Sequence, residues 1–135
     1  MLNRISNRDD FVCWFRNPTN QTNGLRIPYR SDRRSPYELG TNSGKYPDFL
    51  ILRNVDDSNI IDIVEPHGGH LEDWLSIASG FSLFAECHGD LFGRIIMCCK
   101  IDNQLVSADF NREEVRAIVD ETITFEEFWH QVRGL

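Results

Sequence analysis

Residues 48–65 have the sequence DFLILRNVDDSNIIDIVE, in which two apolar runs flank four polar residues. The apolar runs are rich in Ile, Leu and Val, as is typical of strands. The polar residues, Asp56-Asp-Ser-Asn59, are all common in turns. The stretch therefore predicts a β-hairpin with a four-residue turn at the centre of the fold.

The four-residue turn sets a register in which Leu50 faces Glu65 and Asp48 faces His67. Because paired side chains share one face of a sheet, these four side chains lie together. Asp48 and Glu65 are then diagonal neighbours, roughly 7–8 Å apart at Cα. Two carboxylates at one sheet end suit a hard divalent cation such as Mg²⁺, and the backbone carbonyl of Pro66 is a candidate third ligand.

The remaining apolar spacing predicts four more strands and three helices around this hairpin. The strands are expected at residues 11–16, 25–29, 93–101 and 105–110, and the helices at residues 71–85, 112–120 and 125–133. Residues 31–45 are predicted as a loop. The order β-β-β-β-α-β-β-α-α indicates an α/β fold with a mixed sheet flanked by helices.

The net charge of −7 is unevenly distributed along the chain. Residues 1–46 contain 8 basic and 4 acidic residues, whereas residues 47–135 contain 6 basic and 17 acidic residues. The average therefore does not exclude a nucleic-acid partner, because the basic first third contains a loop that can reach phosphates. The candidate phosphate-contacting residues are Arg30, Arg33, Arg34 and Lys45.

Hydropathy and cysteine usage predict the cellular compartment of the protein. No apolar run approaches 18 residues and no secretory leader opens the chain, so neither a membrane span nor export is expected. The cysteines Cys13, Cys87, Cys98 and Cys99 follow no metal-binding spacing. We expect them to be buried reduced thiols in a cytoplasmic protein.

Four segments occur in an informative order: Trp14-Phe-Arg-Asn-Pro18, Arg26-Ile-Pro-Tyr29, Tyr46-Pro-Asp-Phe-Leu50 and Ile63-Val-Glu-Pro-His-Gly68. Together they resemble the PD-(D/E)xK nuclease domain found C-terminal to DEAD/DEAH-box helicases related to type III restriction subunits. The resemblance runs from about residue 11 to residue 120. It implies a restriction-endonuclease-like α/β core and a single nuclease domain over residues 1–135, as a fragment or subunit of a larger helicase–nuclease system.

The resemblance also implies the activity. Such a domain hydrolyses phosphodiester bonds with Mg²⁺ or Mn²⁺, here of DNA rather than RNA, in a restriction or defence setting and with a helicase or ATPase partner. Asp48 and Glu65 are the implied metal ligands, with Pro66 beside them.

One departure from the family pattern leaves alternatives open. His67 stands two residues after Glu65, where the family has the lysine that stabilises charge near the attacked phosphate. Histidine is less reliably charged at pH 7, because its unperturbed pKa is about 6.5. Either His67 completes a catalytic set with Asp48 and Glu65, or Lys45 substitutes for the lysine, or the domain is inactive and binds DNA or a helicase partner.

Overall fold

The computed structural model describes residues 10–19, 22–38, 40, 42–66, 73–122 and 124–135. Within these ranges the chain forms seven strands and three α-helices. The strands are β1 (Phe11–Arg16), β2 (Ile27–Tyr29), β3 (Ser43–Lys45), β4 (Phe49–Val55), β5 (Ser58–Pro66), β6 (Ile95–Ile101) and β7 (Gln104–Asp109). The helices are α1 (Trp74–His88), α2 (Glu113–Glu121) and α3 (Phe125–Arg133).

The five longer strands form one sheet in the order β1-β4-β5-β6-β7. The pair β5–β6 is parallel, and α1 lies in the connection between its strands. The three other neighbouring pairs are antiparallel. The predicted α/β class with a mixed sheet flanked by helices is therefore confirmed.

The turn of the β4–β5 hairpin is shorter than predicted. Only Asp56 and Asp57 form it, and both have left-handed backbone conformations, with φ of 50° and 65°. Two successive positive φ values characterise the two-residue turn that matches the twist of the flanking strands. Ser58 and Asn59 were predicted as turn residues because they are polar, but both belong to β5.

The shorter turn also corrects the predicted register. Leu50 pairs with Ile63 instead of Glu65, and Phe49 pairs with Val64. The error is two residues along β5, and side chains alternate between faces with a period of two. Residues predicted to share a face of this hairpin therefore still share it, although each has a different direct partner.

The predicted loop at residues 31–45 ends in a strand. β3 pairs with β2 in a separate two-stranded sheet, with Ile27 opposite Lys45. This small sheet lies on α1 at Gly80, where an added Cβ atom would be 2.6 Å from the Cβ atom of Tyr29 and 2.7 Å from the carbonyl oxygen of Pro28. The glycine therefore permits a close approach of β2 to the helix.

The main core lies between the five-stranded sheet and the helices. Its members include Ile63 and Met97 of the sheet, Phe81 of α1 and Trp129 of α3, all at most 1 % exposed. A smaller apolar cluster on the opposite face contains Ile51, Val64 and Cys98. Among the described residues, no helix is long and apolar enough to cross a bilayer.

The cysteine prediction is correct in part. Cys98 and Cys99 are buried and lie in different clusters on the two faces of β6, as adjacent strand residues must. Cys13 and Cys87 are exposed, so the expectation of burial is wrong for them. An edge strand contains Cys13, and Cys87 occupies the outer surface of α1, so an apolar neighbourhood in sequence did not ensure burial.

A buried ion pair joins β4 to β5 on the face opposite Glu65. Arg53 donates to both carboxylate oxygens of Asp62, at 2.6 and 3.0 Å, and to Asp10 at 2.8 Å. Asp62 also accepts the backbone N–H of Arg94 at 2.8 Å. Arg53 and Asp62 are diagonal neighbours across the hairpin, because Arg53 pairs with Ile60 and Asp62 pairs with Ile51.

We predict that Asp62→Asn destabilises the fold by about 3 kcal/mol, because it leaves the buried Arg53 guanidinium without its main counter-charge. Urea denaturation measures the loss. The matched control is Asp102→Asn. Asp102 forms a surface ion pair with Arg133 at 3.3 Å, and the loss of such a pair should change the free energy of unfolding little. Equal losses in the two variants would contradict this role for Asp62.

Candidate active site

Asp48 and Glu65 meet at one end of the five-stranded sheet. Asp48 immediately precedes β4, one position beyond the pair formed by Phe49 and Val64, which places it opposite Glu65. Its backbone N–H donates to Glu65 Oε1 at 3.0 Å. The two residues share one face of the sheet, as predicted, but they are direct cross-strand neighbours rather than the predicted diagonal ones. This is the face on which Leu50 and Ile63 pack against the helices.

Lys45 contacts the buried member of this pair. Its Nζ atom is 3.3 Å from Glu65 Oε2, and its side chain is largely buried. The pairing of β3 with β2 holds Lys45 opposite Ile27, so a tertiary contact rather than sequence spacing brings it to the site. The PD-(D/E)xK pattern has a lysine two residues after the glutamate, whereas here a lysine reaches the carboxylate from a different strand.

The environment of Glu65 opposes its ionisation. The residue is 2 % exposed, and its burial raises the pKa from its ordinary value of 4.5 to about 7. The Lys45 ammonium and the Asp48 N–H favour the charged form, while the Asp48 carboxylate disfavours it. Glu65 therefore changes protonation near neutral pH, as is frequent for groups in functional sites.

The end of β1 borders Asp48. The Arg16 guanidinium is 3.8 Å from Asp48 Oδ1 and 5.3 Å from the centre of the Phe49 ring. The backbone N–H of Asn17 donates to the Asp48 carbonyl at 3.0 Å. The Asn17 side chain is buried and exchanges two hydrogen bonds of 2.8 Å with the backbone of Leu25. These contacts connect the candidate site to both β1 and the segment that leads into β2.

The other predicted members of the catalytic and metal sets have different outcomes. Pro66 is the last residue of β5 and pairs with Cys98 in the parallel register, so it follows Glu65 at the same sheet end. His67 lies outside the described residues. Within the described ranges, no group of three or more His, Cys, Asp and Glu side chains is arranged to hold a metal ion.

The predicted phosphate-contacting arginines have separate environments. Arg33 donates to the carbonyl oxygens of Val119 and Thr122 and to Ser79 Oγ at 3.0–3.3 Å, so it joins the loop to α1 and the end of α2. Arg30 forms an ion pair with Asp32 at 3.1 Å. The Arg34 side chain is exposed. Of these three arginines, Arg33 therefore has the most extensive hydrogen bonding to other elements of the fold.

Sequence reasoning missed two residues that structure the site, Arg16 and Asn17. Both occur in the Trp14–Pro18 segment that contributed to the family resemblance, but no spacing rule connects that segment to Asp48. Their contact with Asp48 requires β1 to pair with β4, with Arg16 opposite Phe49. Only a prediction that β1 pairs with β4 would have indicated from the sequence that Arg16 and Asn17 lie beside Asp48.

We predict that Glu65→Gln becomes more stable relative to wild type as pH rises. The raised pKa means that proton binding to Glu65 stabilises the fold fully below pH 4.5 and that this contribution is lost as pH rises through about 7. Glutamine does not titrate, so the unfolding free energy of the variant minus that of wild type should increase by about 2.5 kcal/mol between pH 5 and pH 8.

Denaturant unfolding at four pH values between 5 and 8 measures this difference. Glu86→Gln provides the control, because Glu86 is an exposed carboxylate on α1. A difference for Glu65→Gln that stays constant between pH 5 and pH 8 would contradict the proposed environment of Glu65.

Comparison with known proteins places the chain in a family. Protein YagJ of Escherichia coli (strain K12) is 33% identical over 114 residues, which make up 83% of this chain and 44% of that protein. The chain thus spans less than half the length of this relative. No solved structure matches the chain. The family model described as YagJ family matches residues 1–134, and the chain therefore belongs to the YagJ family.

Proposed function

We propose that this domain hydrolyses phosphodiester bonds of nucleic acid, DNA rather than RNA, with Mg²⁺ or Mn²⁺ as cofactor. The observation that carries the proposal is the contact of Lys45 with Glu65 beside Asp48. Two carboxylates and one lysine are the residue types on which the PD-(D/E)xK pattern depends. The contact supplies the lysine that the sequence pattern lacks after Glu65.

The donor set fits a hard cation. Asp48 and Glu65 offer carboxylate oxygens at one sheet end, and the carbonyl of Pro66 is the candidate third ligand; Mg²⁺ commonly uses one or two carboxylates and retains several waters. When bound, such an ion polarises a phosphoryl oxygen and activates water at neutral pH. The arrangement therefore suits hydrolysis at phosphorus.

The residues of the chain supply positioning and charge. Lys45 places an ammonium group next to the carboxylates, where it stabilises the negative charge that develops on an attacked phosphate. The side chain of Arg16 is two-thirds exposed beside Asp48 and provides a second cation for the phosphate backbone. Arg30 and Arg34 extend the basic segment toward the flanking phosphates. We include a helicase or ATPase partner, a cytoplasmic location and a restriction or defence setting in the proposal.

One observation favours a second candidate, an inactive domain that binds DNA or a helicase partner. Lys45 contacts Glu65 and Arg16 contacts Asp48, so each carboxylate already has a protein cation nearby. A site whose charges are offset in this way does not require a metal ion for its stability. The two candidates differ in whether divalent metal produces cleavage.

We predict that plasmid and single-stranded DNA are cleaved in the presence of Mg²⁺ or Mn²⁺ and that EDTA abolishes the reaction. Lys45→Met should reduce the rate by about 10²–10³-fold, because loss of one group that stabilises developing charge has effects of this size. Asp48→Asn should reduce it at least as much. Gel assays under single-turnover conditions measure the rates.

The chain offers a matched control, because Lys100 is its other lysine and is exposed on β6. Lys100→Met should retain the wild-type rate. Metal-dependent cleavage that survives Asp48→Asn would exclude the proposed site. Absence of cleavage by a folded wild-type protein on DNA and RNA would favour the inactive alternative.

A further inference from the structure

The edge strand β1 exposes large apolar side chains. Val12, Trp14 and Phe15 are 50 %, 46 % and 43 % exposed. Among the described strands, β1 pairs only with β4 and forms one edge of the sheet. Exposed aromatic residues grouped on an unpaired edge are typical of an interaction surface.

This edge borders the candidate active site. Phe15 pairs with Leu50 and so lies on the same sheet face as Asp48, which is two residues before Leu50. Trp14 projects to the other face, where its ring meets Phe49 edge-to-face at 5.6 Å. Arg16 contacts Asp48 at 3.8 Å. We call Trp14, Phe15 and Arg16 the β1 strip.

We propose that the β1 strip binds an unpaired nucleic-acid strand, so that the substrate class of the site is single-stranded nucleic acid or an unpaired segment. This inference deepens the proposed function and rests on it for the cleavage step. Phe15, on the face of Asp48, and Trp14, on the other face, each offer a ring on which a base can stack at the edge of the sheet. Arg16 offers a cation to the phosphate that enters beside Asp48. A duplex keeps its bases stacked on each other and cannot use the rings in this way.

The charge distribution favours nucleic acid over a second copy of the chain. The side chain of Arg16 is 67 % exposed and its guanidinium is 3.8 Å from Asp48 Oδ1, so an apolar dimer contact would remove a solvated ion pair from water at a cost in free energy. A phosphate instead offers the guanidinium a further charged acceptor. Helix α3, which contains Glu126 and Glu127, packs against β7, at the opposite edge of the sheet from β1.

The size of the exposed apolar area also favours nucleic acid over a second copy of the chain. The half-exposed side chains of Val12, Trp14 and Phe15 together present on the order of 300 Å² of apolar surface, given that a large aromatic residue buries 150–250 Å². A stable protein–protein interface needs about 800 Å² on each partner. One or two stacked bases fit the smaller area, because each stacked base contributes by itself to binding.

Binding can be measured without cleavage. In EDTA, we predict that a fluorescently labelled 12-nucleotide oligo(dT) binds at least tenfold more tightly than a 12-base-pair duplex, as measured by anisotropy. Trp14→Leu, Phe15→Leu and Arg16→Gln should each weaken oligo(dT) binding about tenfold. Trp14 is the exposed tryptophan, since Trp74 and Trp129 are buried. Oligo(dT) should therefore quench its fluorescence.

The control is Tyr37→Leu, because Tyr37 is exposed to nearly the same extent as Trp14 but lies outside the strip. Circular dichroism establishes that each variant is folded. An oligo(U) arm distinguishes RNA from DNA, and preferential binding of either strand over duplex supports the proposal. Equal binding of strand and duplex with no effect of Phe15→Leu would overturn it.

Two further outcomes separate this inference from the proposed function. Strip-dependent binding of oligo(dT) without metal-dependent cleavage supports the strip and contradicts the nuclease proposal. Duplex cleavage that is insensitive to Phe15→Leu contradicts the proposal that the β1 strip binds an unpaired strand, and it leaves the nuclease proposal intact. Concentration-dependent self-association that is lost in Phe15→Leu, without oligonucleotide binding, would show that the strip is a protein interface and overturn the inference.

Discussion

The buried carboxyl group of Glu65 constrains much of this structure. A carboxylate at 2 % exposure needs partners, and it obtains them from the Asp48 N–H and the Lys45 ammonium. These contacts require the start of β4, the end of β5 and the short strand β3 to converge on one sheet end. The packing of β2 against Gly80 of α1 then fixes β3, so a distant glycine contributes to the position of Lys45.

Local patterns predicted much of this architecture. Apolar runs located β4 to β7, and helical spacing located α2 and α3, because each of these elements buries one periodic face. The shared face of Asp48 and Glu65 was also predictable. This prediction was correct although the predicted turn was too long, because the resulting register error was two residues and side chains alternate between faces with a period of two.

Contacts between distant segments were not predictable in this way. β3 has three residues, too few for a periodic signal, and forms by pairing with residues 27–29. Lys45 therefore looked like a loop residue. Arg33 looked like a phosphate contact, whereas its guanidinium donates to carbonyls at the end of α2, almost ninety residues later in the chain. Polarity alone also assigned Ser58 to the turn.

We propose above all that Asp48 and Glu65 bind a divalent cation beside Lys45. Backbone amide NMR spectra recorded with increasing amounts of Mn²⁺ test it directly, because the paramagnetic ion broadens signals from nuclei close to it. We predict that the amides of residues 48 and 65 broaden first and that Asp48→Asn removes the effect. Broadening that begins at the acidic helices α2 and α3, or that leaves residues 48 and 65 unchanged, would contradict it.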